Sequence, residues 1–302
     1  MRRDIDHLSD RHRHDLNEAV RTIRREFALA LRRKKRTAGK DGRGPRRILK
    51  IVLYGSMARG KPVFDRETGY KSDYDLLVIV SDPELTDPRY WEGATDALLF
   101  AEQEDETRHP ASFIVHDLDD VNNQLYLGRP FFKDIYRDGI VVYEFSKREL
   151  AKPGNLSAEE ELAEARMYFQ QWFPKIEKSI WAADNFIKRG DDGDANEAAF
   201  NLHQACERAY HCVLLTLTLY SPKLHNLEKL RSMAEGIEPR LIEAWPRKTY
   251  YERRPFNRLV RAYVEARYSP HYVITAEDLT AAAEQVAKLQ ALVKSVCEVR
   301  LA

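Results

Sequence analysis

The sequence predicts an α+β chain in two parts, a small mixed sheet with helices followed by an all-α bundle, and three observations carry that reading. Two short apolar, β-branched runs, Ile48–Tyr54 and Asp73–Val80, flank a Gly55-Ser56 turn, as buried strands do. From Ser157 onward, apolar residues recur at helical spacing. Between these regions Lys152-Pro153-Gly154-Asn155 breaks helix and strand alike. The expected division is a basic amphipathic helix and linker over 1–45 that packs on the first domain, the sheet domain over 46–150, and the helical domain over 151–302.

With 302 residues, 43% of them hydrophobic and 32% charged, the chain can bury more than one core. The net charge of +1 selects no partner, but its distribution does: residues 1–50 hold 17 Lys and Arg against 7 Asp and Glu, a surplus of 10, which leaves −9 for the remainder. Cys206, Cys212 and Cys297 are too few and too scattered for a disulfide framework, which suits a reducing cytoplasm. No apolar run reaches the roughly 18 residues of a membrane span, so no membrane partner is expected.

In chain order, Leu16, Val20, Ile23, Phe27 and Leu31 recur at helical spacing and predict a helix over 15–36 that ends in Arg32-Arg33-Lys34-Lys35-Arg36. That basic run, continued by Lys40, Arg43, Arg46 and Arg47, is either a solvated helix end or a surface for RNA or triphosphate. Gly55 stops the first strand and lets the backbone approach a ligand; the N–H groups after it open a helix whose start favours a phosphate. Lys61–Lys71, with Pro62 and Gly69, reads as a surface excursion. In the next strand Asp73 and Asp75 share one face and Tyr74 takes the other. Two carboxylates so close repel unless a cation sits between them, and such hard oxygen ligands suit Mg²⁺ carrying substrate phosphates. A helix from Asp87-Pro88 to about Gln103, a third strand over Ala111–His116, short helices over 118–126 and 131–137, and an edge strand over Ile140–Phe145 complete the domain.

The order of strand, Gly-Ser turn, helix opening and Asp-x-Asp strand resembles the nucleotidyltransferase core of the DNA polymerase β superfamily, particularly its minimal nucleotidyltransferases, over about residues 46–145. The resemblance implies that Gly55 and Ser56 hold a nucleoside triphosphate, ATP or another, that Arg59 supports the turn or a phosphate, and that Asp73 and Asp75 bind the catalytic metal, Mg²⁺ or alternatively Mn²⁺. One departure stands out. The family commonly carries a third carboxylate on the third strand, where Ser112, Ile114 and His116 share a face and none is acidic. His116 is the candidate general base, since histidine is the side chain that most readily exchanges a proton near neutral pH, and Asp117 at the strand end is another acceptor.

Beyond the break, Ser157 with Glu160 reads as a capping box that opens a helix running towards Lys188, kinked at Pro174. Ala195–Leu219 is the second long helix, Leu227–Ala234 and Pro239–Trp245 are short, and Asn257–Ala266 and Thr275–Leu301 complete a bundle. The strings Leu202–Tyr210, Pro222–Leu227 and Ala266–Pro270 resemble the HEPN family, helical domains found beside minimal nucleotidyltransferases. HEPN ribonucleases carry an Arg and a His with four to six residues between them; here two residues separate Arg208 from His211 and three separate Arg267 from His271, so ribonuclease activity is not expected. His203, His211, His225 and His271 read foremost as structural. The expectation is an Mg²⁺-dependent enzyme transferring a nucleoside monophosphate to a protein, RNA or small-molecule hydroxyl, with a homodimer through the helical domain. The alternative is a catalytically weak nucleotide-binding module whose HEPN-like half serves dimerisation or toxin–antitoxin-type regulation.

Overall fold

The computed structural model describes residues 1–35, 46–62, 64–65, 70–103, 107, 109–145, 148–191, 193–269 and 271–302. They form two compact units, one built of Met1–Phe64 and Lys71–Leu156, the other chiefly of Ser157–Ala302. Lys40, Arg43, Gly69 and Pro270 lie outside the described residues.

The first unit opens with helix α1, Asp10–Lys35, which starts five residues earlier than its apolar stripe suggests. Strand β1 (Ile48–Tyr54) runs straight into the single helical turn α2 (Gly55–Ala58). A two-residue ladder, β2 (Phe64–Asp65) with β3 (Tyr70–Lys71), occupies the excursion before β4 (Tyr74–Val80). A 3-10 turn, Pro83–Thr86, capped by Asp82, comes first, and the helix expected from Asp87 is a second 3-10 turn, Pro88–Tyr90, capped by Asp87, and then α3 (Glu92–Gln103). Pro88 keeps Asp87 out of the helical region (ψ 124°), which ends the first turn before the second begins. Strand β5 (Ala111–Asp117), α4 (Leu118–Tyr126), α5 (Pro130–Asp138) and β6 (Ile140–Glu144) follow.

The sheet order is β5-β4-β1-β6, with β4 and β5 parallel and both partners of β1 antiparallel to it, so β6 is an edge as the sequence suggested. Strands β1 and β4 are buried along their whole length because helices cover both faces. On one face Leu16, Val20, Ile23 and Phe27 of α1 pack with Ile51, Leu53, Tyr74, Leu76 and Val78. Phe27 stacks on Trp91 at 4.7 Å between ring centroids, and truncating it to alanine would cost about 3–5 kcal/mol. On the other face Tyr54 meets the edge of Phe131 at 5.6 Å.

The second unit is helical. Ser157 and Glu160 form the predicted capping box at the start of α6 (Ala158–Arg189), which runs through Pro174 to a left-handed Gly190. Helix α7 (Asp194–Thr218) carries the most buried face, including Leu202, Cys206, Ala209 and Tyr210. Then come α8 (Leu227–Ile237), a 3-10 turn over Pro239–Ala244, α9 (Tyr250–Tyr268) and α10 (Ala276–Leu301). Helix α9 begins seven residues before the expected Asn257, because Thr249 and Glu252 form a second capping box and the helix continues past Pro255. All three cysteines are free and buried. Among the described residues, no helix is long and apolar enough to cross a membrane.

Candidate functional site

Antiparallel register sets Tyr54, the last residue of β1, opposite Asp75 of β4, so the chain leaving β1 passes directly beside that carboxylate. Gly55 takes up the bend with φ +75°, and a Cβ there would overlap Asp75 Oδ2 and lie 3.2 Å from its Cγ. Glycine is required twice over, by backbone conformation and by space. Asp75 is 9% exposed, while Asp73, just before the strand, is partly exposed and by alternation shares its side of the sheet. Tyr74 between them is fully buried against α1, which anchors the alternation.

Ser56 lies half-buried in the turn α2, whose four residues are too few for a substantial macrodipole, so any preference for anions rests on the turn's N–H groups. Tyr54 at the cap contributes no side-chain acceptor to them. The turn's carbonyls are held from an unforeseen direction: Arg2 donates to Ala58 O at 3.4 Å and His7 Nε2 lies 2.9 Å from Met57 O. Val141 N donates to Arg2 O at 2.9 Å, which ties this N-terminal strap to β6. No periodicity or motif marks Arg2 or His7, since their partners are some 50 residues away. Arg59 follows the turn in helical conformation and is exposed. Near it, Asp138 is held below the usual carboxylate range, first by its hydrogen bonds from Arg137 and more weakly by the charge of Arg59.

Parallel register sets Ser112 opposite Asp75, and its hydroxyl donates to Asp75 Oδ1 at 3.5 Å. Ser112 therefore stands where a third strand can face the pair, and it was passed over in the sequence because it is not acidic. The structure does not bring His116 to this place. It pairs in register with Ile79, four residues along β5 and so about 13 Å from Ser112. There its Nδ1 lies 2.5 Å from Asp120 Oδ2. Asp117 does not swing in either; it caps α4, accepting from Asp119 N and Asp120 N at 3.1 Å each. Both candidates for the base belong to the opposite end of the strand.

In the helical unit the histidines are held by neighbours. His203 Nδ1 lies 2.8 Å from Leu259 O, which can only accept, so that nitrogen carries the proton. His225 Nδ1 is 3.2 Å from Glu207 Oε1, and both His203 and His225 stack on Tyr263. Burial raises the Glu207 carboxyl, but the neighbouring imidazoles of His203 and His225 outweigh it and hold the group below its ordinary range. His211 Nδ1 meets Ser221 Oγ at 2.7 Å, and burial pushes its pKa down. Arg208 donates to Lys175 O at 3.1 Å and to Ser179 Oγ, so it braces α6. Helix α9 ends at Tyr268 with Ser269 extended, which leaves exposed His271 beyond the helix.

Among the described residues no group of three or more His, Cys, Asp or Glu is disposed to hold a metal. The Asp73 and Asp75 pair offers two hard oxygen groups, a donor set that fits Mg²⁺, which usually takes one or two carboxylates and fills its shell with water and substrate phosphates. The family model for the HEPN domain matches residues 169–296. No curated protein matches the chain.

Proposed function

We propose that the first unit transfers a nucleoside monophosphate, AMP from ATP in the leading case, to an acceptor hydroxyl and releases pyrophosphate. The observation that carries this reading is the packing of the Gly55 turn onto Asp75, with Asp73 on the same side of the sheet. In the proposed reaction the acceptor oxygen bonds to the α-phosphorus, the bond from that phosphorus to the bridging oxygen breaks, and the hydroxyl proton passes to a base. The missing side chain at Gly55 lets the turn close onto Asp75, and the N–H groups of the turn supply donors to phosphate oxygens. Asp73 and Asp75 hold Mg²⁺, whose chemistry when bound is to neutralise charge on the phosphates. Ser112 keeps Asp75 oriented through its hydroxyl.

The test is incorporation of label from α-labelled ATP with Mg²⁺ into candidate acceptors, with Asp75→Asn as the control. Label that is incorporated equally by wild type and Asp75→Asn defeats the reading. Ser112 also favours a second reading: with a hydroxyl in place of a third carboxylate, the unit is a nucleotide-binding module of weak catalytic power, and the HEPN half mediates self-association or toxin–antitoxin-type regulation. Exposed Trp181 and Met167 on α6, 14 residues apart and hence close to one helical face, suit such association. ATP binding without transfer, in a protein that sediments as a dimer, would select it.

A further inference from the structure

Among the described residues, two of the cavities on the α1 side of the first unit have linings that differ in charge. The larger, about 770 Å³, includes Asp15, Glu18, Glu26 and Asp96. The smaller, about 430 Å³, is lined by Arg24, Arg46, Arg47, Tyr143 and Phe145 among others, and among the described residues its lining holds no carboxylate. Here guanidinium groups and aromatic rings alternate. Arg24 lies over the Tyr143 ring at 4.0 Å from its centroid, and Arg47 over Phe145 at 4.3 Å. Phe145 is nonetheless 55% exposed, a large apolar ring left facing water beside concentrated positive charge. Arg46 is paired with Glu84 and also reaches Tyr90 Oη at 3.4 Å, so its position is fixed. Exposed Arg32 and Arg33 extend the charge along the end of α1.

We propose that this surface binds a single-stranded nucleic acid, one base stacking on the open face of Phe145 while Arg24 and Arg47 meet the flanking phosphates. A base offers a flat π face and each phosphate one negative charge, so a strand satisfies ring and arginines together. A duplex hides its bases and leaves Phe145 unused; a simple polyanion uses the arginines alone. The surface is separate from the Asp75 site. Phe145 N bonds Leu49 O at 2.8 Å near the start of β1, whereas Asp75 faces Tyr54 at its end, about 17 Å along the strand. It also lies on the α1 face, the face Tyr74 takes and Asp75 does not. Binding here therefore requires neither ATP nor Mg²⁺, and it stands whether or not the first unit transfers nucleotides.

The experiment is fluorescence anisotropy of a labelled 12-nucleotide oligouridylate with the full chain in EDTA, over a range of salt. Wild type should bind, with affinity falling as salt rises. Phe145→Leu, which keeps an apolar side chain, should weaken binding about five- to 150-fold, the range of one stacked base, with the salt slope unchanged. Arg24→Gln with Arg47→Gln should flatten the slope of log affinity against log salt by about 1.4, two single-strand phosphate contacts. A 12-base-pair duplex should bind more weakly, and heparin binding should not depend on Phe145. No wild-type binding at 50 mM salt, wild-type affinity in both variants, or equal preference for duplex would overturn the proposal. Should Phe145→Leu fail to fold, the arginine variant alone decides, since an unchanged slope excludes contact at this surface.

Discussion

Ser112 and Asp75 face each other across the parallel ladder of β4 and β5, the serine hydroxyl donating to Asp75 Oδ1 at 3.5 Å. A hydroxyl there steadies the carboxylate without adding charge, whereas a carboxylate would add a metal ligand and a second negative charge. Ser112→Asp is therefore expected to raise Mg²⁺-dependent transfer while lowering stability in EDTA, since like charges at this spacing repel. Comparing label incorporation and thermal unfolding with and without Mg²⁺ checks this. A stability loss that Mg²⁺ does not restore would argue against a cation at the pair.

Asp73→Asn and Asp75→Asn are each expected to abolish transfer with the fold retained. Removing one of two repelling carboxylates relieves strain in the metal-free protein, so its unfolding temperature in EDTA should hold or rise. Wild-type turnover in both variants would place the active site elsewhere.

Gly55→Ala should lose transfer and stability together. The left-handed φ of +75° costs an alanine about 1–2 kcal/mol before the overlap with Asp75 Oδ2 is counted. Urea unfolding measures the stability and label incorporation the transfer. A fully stable Gly55→Ala protein would contradict the geometry of the turn.

His211 sets a pH dependence in the helical unit. Burial holds it neutral and depresses its pKa; the Glu207 charge opposes this, and His225 reinforces it. The unfolded chain takes up the proton first, near the ordinary value of about 6.5. The stabilisation is thus complete above that pH and is lost as pH falls towards the lower folded value. Urea midpoints measured from pH 7.5 to 5.5 should fall, and less steeply in His211→Gln. Glu207, also depressed, acts below the ordinary carboxylate range and so outside this window. Equal slopes in both proteins would remove His211 from the account.

The helical unit is expected to leave single-stranded RNA and tRNA uncut. Cleavage needs an arginine and a histidine at one phosphate, yet Arg208 is spent on α6 and His271 lies past the end of α9. Cleavage abolished by His271→Ala but kept by Asp73→Asn would make this unit the effector.

Local chemistry was legible in the chain itself. Alternation alone puts Asp73 and Asp75 on one side and Tyr74 on the other, Gly55 announces the tight turn, Ser157 with Glu160 announces α6, and Pro153-Gly154 marks the break. Helix α9 begins before the expected Asn257 because Thr249 and Glu252 cap it and Pro255, in its second turn, does not end it. Register between distant strands was not legible, because β1 and β4 are buried on both faces and so carry no apolar alternation to fix it. Only the tertiary structure therefore decided that Ser112 meets Asp75, that His116 sits at Ile79, that Arg2 and His7 hold the turn, and that Arg24 and Arg47 come to lie over Tyr143 and Phe145.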